Sequence, residues 1–149
     1  DIGLIKEEAR EEEHSDVTLD ISASDIDPAA VELTKRNAAA AGVDGFIRVS
    51  RGDARRITAE RPCGSIITNP PYGERLMTEA ECKRLYRDIG KSFSALDRWS
   101  YYILTSHNDF EREFGKKADR ARKIYNGMLQ CRLYQFYGNK PKSSRKVKK

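Results

Sequence analysis

The sequence predicts an α/β fold, a doubly wound and mostly parallel sheet that closes with a reversed strand. Three observations carry this. Short apolar runs alternate with longer stretches of helical periodicity. Several of those runs end on polar residues. Near the end of the chain an Asn-Gly dipeptide lies between apolar residues, the strongest short-range signal for a tight hairpin.

Ile5 to Glu13 is rich in helix formers and nearly free of an apolar stripe, so it reads as an exposed helix. Val17, Leu19 and Ile21 alternate with Thr18, Asp20 and Ser22 and run into Ala23-Ser24-Asp25, a strand ending on an acid. Asp27-Pro28 is an N-cap followed by proline at the first helical position, and the helix it opens runs from Ala29 to Ala41 and stops at Gly42. Phe46 to Val49 is a second strand leading to Gly52-Asp53. Ser65 to Thr68 is a third, leading into Asn69-Pro70-Pro71-Tyr72-Gly73. From Thr78 to Leu96 the residues Leu85, Ile89, Phe93 and Leu96 share a helical face; Tyr101 to Thr105 is the next strand and Asn108 to Lys116 the next helix. Lys123 to Leu129 forms the hairpin, and Cys131 to Tyr137 prolongs its second arm.

The chain has 149 residues, 34% of them charged, and a net charge of +5. Lys140, Lys142, Arg145, Lys146, Lys148 and Lys149 supply +6 without an acid among them, so +5 less +6 leaves residues 1–139 at −1. This organisation predicts one catalytic domain over residues 1–137 and a basic, disordered tail over 138–149. Such a tail lends weak support to a nucleic-acid partner. No apolar stretch approaches the roughly 18 residues of a membrane span, and the acidic opening is unlike a signal peptide, so no membrane partner and a cytoplasmic location are expected. Cys63, Cys82 and Cys131 are odd in number and lack a CxxC pair, which predicts reduced, core-packing thiols and no metal site. His14 and His107 are isolated, with surface or structural roles.

In an open α/β sheet, ligands gather beyond the carboxyl ends of the strands. Asp25, Asp53 and Asn69 each end a strand. An acid at the first position can accept from two ribose hydroxyls, and one at the second from an adenine amino group, which together suit an adenosine-containing cofactor. Asp27 reads as a cap only. In Asn69-Pro70-Pro71-Tyr72 two prolines stiffen the backbone and remove two N–H donors, so carbonyl groups and the Asn69 side-chain oxygen are free to accept. Acceptors suit an amino substrate. Holding a conjugated exocyclic amine in line with a sulfonium methyl supplies rate by positioning, with no tuned base required, and Tyr72 can stack on a base swung out of its helix or loop.

Ser24-Asp25-Ile26-Asp27, Asn37 to Val43, Asn69 to Leu76, Leu85-Tyr86, Thr105-Ser106 and Tyr125-Asn126-Gly127 together resemble the catalytic domain of bacterial large-subunit rRNA guanine-N2 methyltransferases, a family often described loosely as N6-adenine-specific DNA methylases. The resemblance, from about Ser24 to Tyr137, implies a Rossmann-like class I methyltransferase fold, S-adenosylmethionine as cofactor and a guanine of large-subunit rRNA as acceptor. It implies that Asp25 binds the ribose, Ile26 flanks the adenine, Asp53 contacts its amino edge, and Asn69, Pro70, Pro71 and Tyr72 face the base, with Glu74 and Arg75 in the same loop. The family carries a first strand, a glycine-rich loop and an RNA-binding THUMP domain ahead of the matching segment, so the chain reads as a C-terminal portion whose missing N-terminal part is expected in the full protein. Ala23 stands where the family tends to have glycine. Two other readings stand beside the guanine-N2 enzyme: adenine-N6 methylation of DNA, and a non-catalytic RNA-binding remnant.

Overall fold

The computed structural model describes residues 2–12, 18–72 and 77–139. They form two compact units, Asp1–Gly52 and Asp53–Lys149.

In the first unit, α1 spans Ile2–Glu11 and leaves Ile2, Leu4 and Ile5 exposed, as its weak stripe predicts. Strand β1 spans Ile21–Asp25; Thr18 to Asp20 stay outside it and Val17 is not among the described residues. Helix α2, Pro28–Ala40, starts where its cap predicts: the Asp27 carboxylate accepts from the Ala29 N–H at 2.8 Å with Pro28 at the first helical position. Val31 and Ala38, seven residues apart on one face, are its buried residues. Phe46 is not in a strand. It closes a 3₁₀ turn, Asp44–Phe46, and strand β2 follows at Ile47–Arg51. β1 and β2 pair in parallel, Ile21 opposite Ile47 through Asp25 opposite Arg51.

The second unit is a four-stranded sheet in the order β3-β4-β6-β5. β3 is Gly64–Thr68, β4 Trp99–Thr105, β5 Arg120–Asn126 and β6 Leu129–Phe136. β3 and β4 are parallel, and β6 runs antiparallel to both β4 and β5, which is the expected reversed closure. Asn126 and Leu129 are the last ladder pair of the hairpin, so the two-residue loop is Gly127-Met128 and not Asn126-Gly127. Gly127 has φ 61° while no non-glycine residue described has positive φ, the pattern of a II′ turn, in which glycine takes the first central position.

Helix α3, Glu79–Ser94, opens with a capping box in which the Thr78 hydroxyl and the Glu81 carboxylate satisfy each other's backbone N–H groups. Its buried face is Cys82, Tyr86, Ile89, Gly90 and Phe93. Ile89 and Phe93 are where the periodicity puts them, but Leu85 and Leu96 are only partly buried, because the face turns toward Tyr86, whose phenol finds polar partners inside. The predicted helix over 108–116 is a short α4, Phe110–Phe114. Gly90 sets the approach of α4: a Cβ there would lie 2.0 Å from the Phe114 carbonyl oxygen. Phe110 stacks at 4.8 Å on Tyr134 and Phe114 at 4.8 Å on Phe136, so this face of the sheet is sealed by aromatic rings. Cys82 and Cys131 are buried, and Cys63 is exposed in the bend before β3. Hydrogen bonding continues past Tyr137, with the Asn139 N–H donating to the Asp97 carbonyl at 3.1 Å. The basic residues from Lys140 onward lie outside the described residues.

Candidate functional site

β3 delivers Asn69. Thr68 pairs in parallel with Ile103, so Asn69 leaves the sheet at the same carboxyl end at which Thr105 closes β4. Asn69 is exposed, Pro70 is buried, and Pro71 and Tyr72 are half-buried. Among the described residues the Asn69 side chain has no hydrogen-bond partner, so its amide oxygen and both its N–H groups are available to a ligand. Gly73, Glu74, Arg75 and Leu76 are not among the described residues.

The loop is braced from behind. The Tyr86 hydroxyl donates to the Pro71 carbonyl at 2.7 Å and lies 3.1 Å from the Thr105 hydroxyl, which accepts from the His107 backbone N–H at 3.1 Å. A phenol has one proton. Because Tyr86 gives it to Pro71, Thr105 must be the donor to Tyr86, and the bonds run in one direction: His107 N–H to Thr105, Thr105 O–H to Tyr86, Tyr86 O–H to Pro71. Burial, partly countered by the Thr105 hydrogen bond, pushes the Tyr86 phenol up to about 12, so it keeps that proton throughout the neutral range. The His107 ring packs against Tyr86 at 5.3 Å, and its buried Nε2 has no partner among the described residues. Sequence reasoning set His107 aside as isolated; strand β4 brings it behind the loop. Tyr86 is buried and polar on an apolar helix face, and that mixture was the signal that could have found it.

In the first unit, Asp25 ends β1, and one of its carboxylate oxygens accepts from the Asp27 N–H at 2.9 Å. The other oxygen has no partner among the described residues, and Ile26 beside it is 52% exposed. An acid with a free oxygen next to an exposed apolar side chain fits a ribose and an adenine face. The Gly52 N–H donates to the Asp25 carbonyl at 2.9 Å, and a Cβ at Gly52 would come within 3.0 Å of Ser24, so glycine keeps the two strand ends together.

Asp53 opens the second unit in an unexpected state. Its carboxylate accepts from the Arg55 backbone N–H at 2.9 Å and takes the Arg55 guanidinium across both oxygens, at 2.7 to 3.0 Å. This fork holds its carboxyl at about 2. Each oxygen already takes two of these contacts, so a further donor must share an oxygen with Arg55, and the charge is already neutralised. Among the described residues no group of three or more His, Cys, Asp or Glu is placed to hold a metal ion, and no helix is long and apolar enough to cross a membrane.

A sheet closed by an antiparallel hairpin, with an exposed asparagine on a proline-stiffened segment at its carboxyl end, is the architecture of an α/β methyltransferase. The solved structure of SMU.472, provisionally classed as a methyltransferase and crystallised with SAH, superposes on 95% of this chain and 37% of its own, with 40% identity and a TM-score of 0.87. The chain belongs to the RMKL-like methyltransferase domain family, which it matches over residues 2–135. The ribosomal RNA large subunit methyltransferase K/L of Hahella chejuensis is 38% identical over 125 residues, covering 80% of this chain. A Listeria monocytogenes structure named as an N6-adenine-specific DNA methylase has a TM-score of 0.79 at 36% identity, over 90% of this chain. The chain spans 17% of the Hahella protein and 34% of the Listeria one.

Proposed function

We propose that this domain transfers a methyl group from S-adenosylmethionine to an exocyclic amino group of an RNA base, guanine N2 of large-subunit rRNA. The observation that carries the reading is the exposed Asn69 amide, unpartnered among the described residues, on the loop braced by Tyr86. S-adenosylmethionine supplies an electrophilic methyl on sulfur; the chain's own residues bind and orient. Asp25 takes ribose hydroxyls through its free oxygen, Ile26 covers a face of the adenine, and Asp53 accepts from the adenine amino group in exchange for part of its contact with Arg55. The Asn69 oxygen and the Pro70 carbonyl accept from the substrate amine and fix its nitrogen, Pro71 holds the turn, and Tyr72 stacks on the extruded base, a contact worth about 1–3 kcal/mol. Fixing the nitrogen matters because an amine conjugated to a base is a weak nucleophile, and positioning is what the site can contribute without a proton-abstracting residue. The RNA substrate is supported by the name of the Hahella relative, and S-adenosylmethionine by the SAH bound to SMU.472.

In the full-length protein, Asn69→Ala should reduce methyl transfer to undermodified large-subunit rRNA by more than 100-fold while calorimetric binding of the cofactor persists. Undiminished transfer refutes the reading. The Listeria relative's name favours adenine N6 in DNA as a second reading; mass spectrometry of the product separates N2-methylguanosine from N6-methyladenine.

A further inference from the structure

The β5–β6 hairpin carries charges that its own folding does not call for. Residues 120–139 hold four basic side chains, Arg120, Arg122, Lys123 and Arg132, and no acid. The total charge conceals this, because acids elsewhere offset them. Lys123 and Arg132 are direct cross-strand partners, both exposed, and like charges in that position repel. Among the described residues none of the four side chains has an ion pair or hydrogen bond. Tyr125, 67% exposed, stands on the same face as Lys123, with its hydroxyl 3.5 Å from Gln130, and Met128 at the tip is fully exposed.

The register gives the ribbon its place. Arg132 pairs with Thr105, whose hydroxyl donates a hydrogen bond to Tyr86 behind the Asn69 loop. The charged face is therefore continuous with the braced side of the site. At about 4.8 Å per strand, β6 and β5 lie on the order of 10 and 14 Å across the sheet from β3. That separation suits nucleotides flanking an extruded base, which base-modifying enzymes hold as well as the base itself.

We propose that the hairpin is an RNA-binding ribbon, in which Lys123 and Arg132 hold backbone phosphates beside the acceptor base and Tyr125 stacks on a flanking base. A phosphate between the two cations turns their repulsion into shared attraction, and an exposed tyrosine beside two cations is the combination single-stranded RNA requires. The proposal rests on the RNA-methyltransferase reading of the Asn69 loop.

The test titrates the full-length protein with an unmodified transcript of large-subunit rRNA across a range of salt. For K123Q/R132Q the slope of log K against log salt should fall by about 2, one per lost phosphate contact, with SAH binding unchanged and the melting temperature equal to or above wild type. R120Q/R122Q, which removes the cations of the opposite face, should leave the slope within about 0.5 of wild type. If the double variant melts below wild type, the single variants Lys123→Gln and Arg132→Gln serve, each with a slope change of about 1. An unchanged slope in K123Q/R132Q overturns the ribbon even if the wild type methylates RNA. A reduced slope in a protein whose wild type transfers no methyl group to RNA overturns the catalytic reading and leaves the ribbon standing.

Discussion

Replacing Tyr86 with phenylalanine removes one oxygen and two hydrogen bonds from behind the Asn69 loop. The lost bonds, to the Pro71 carbonyl at 2.7 Å and from the Thr105 hydroxyl at 3.1 Å, are worth about 1 kcal/mol each net. Thr105 is 1% exposed, so its stranded hydroxyl adds a desolvation penalty of about 1 kcal/mol or more, for a total near 3 kcal/mol. Thr105→Val should cost about 2 to 3 kcal/mol, since it strands the Tyr86 phenol as an acceptor and removes the partner of the His107 N–H. In the double variant neither stranded partner remains, so the two costs should fall short of adding by about 1 to 2 kcal/mol. Hydrogen exchange by mass spectrometry on peptides covering residues 64–72 and 79–94 measures this. Local opening in Y86F should speed exchange by on the order of 100-fold. Costs that add to within about 0.4 kcal/mol would show that the three groups do not act as one chain. Methyl transfer supplies a second readout. A loosened loop should lower kcat while the KM for the cofactor stays near wild type, and a change in that KM alone would place the role of Tyr86 elsewhere.

Two further outcomes follow from the packing and the charges. Gly90→Ala should destabilise the second unit by about 3 kcal/mol, because the new methyl meets backbone 2.0 Å away and α4 must retreat; a melting temperature within 1 °C of wild type would contradict this contact. Asp53 is held at about 2 by Arg55, below its ordinary value near 4, so the unfolded chain binds its proton first as pH falls. The stabilisation from this pair is therefore present above about pH 4 and is lost between pH 4 and 2. Arg55→Met should flatten that part of the acid limb and return the Asp53 carboxyl toward its ordinary value by NMR titration, and an unshifted titration would remove Arg55 as the cause.

Where local chemistry decides the outcome, the sequence was a sufficient guide. Asp27-Pro28 starts α2 because a carboxylate cap and a proline act within one turn. The Asn-Pro-Pro-Tyr string was legible as a segment leaving a strand, and it follows β3, a strand parallel to β4. What the sequence hid depends on residues distant along the chain. Tyr86, Thr105 and His107 meet Pro71 only because β4 lies beside β3 and α3 packs over them. Arg55 is two residues from Asp53, yet nothing in the spacing shows that its fork closes on that carboxylate and not on solvent. The hairpin was legible but its turn was displaced by one residue, since a single positive φ at Gly127 satisfies the ladder. The pairing of its charges was not legible, because the cross-strand register that sets Lys123 against Arg132 exists only in the folded sheet.

The strand order has a consequence for association. β5 is one margin of the second sheet, and three of its seven residues are arginine or lysine. A second copy approaching that margin brings its own row of cations against the first, a common defence against strands adding edge to edge.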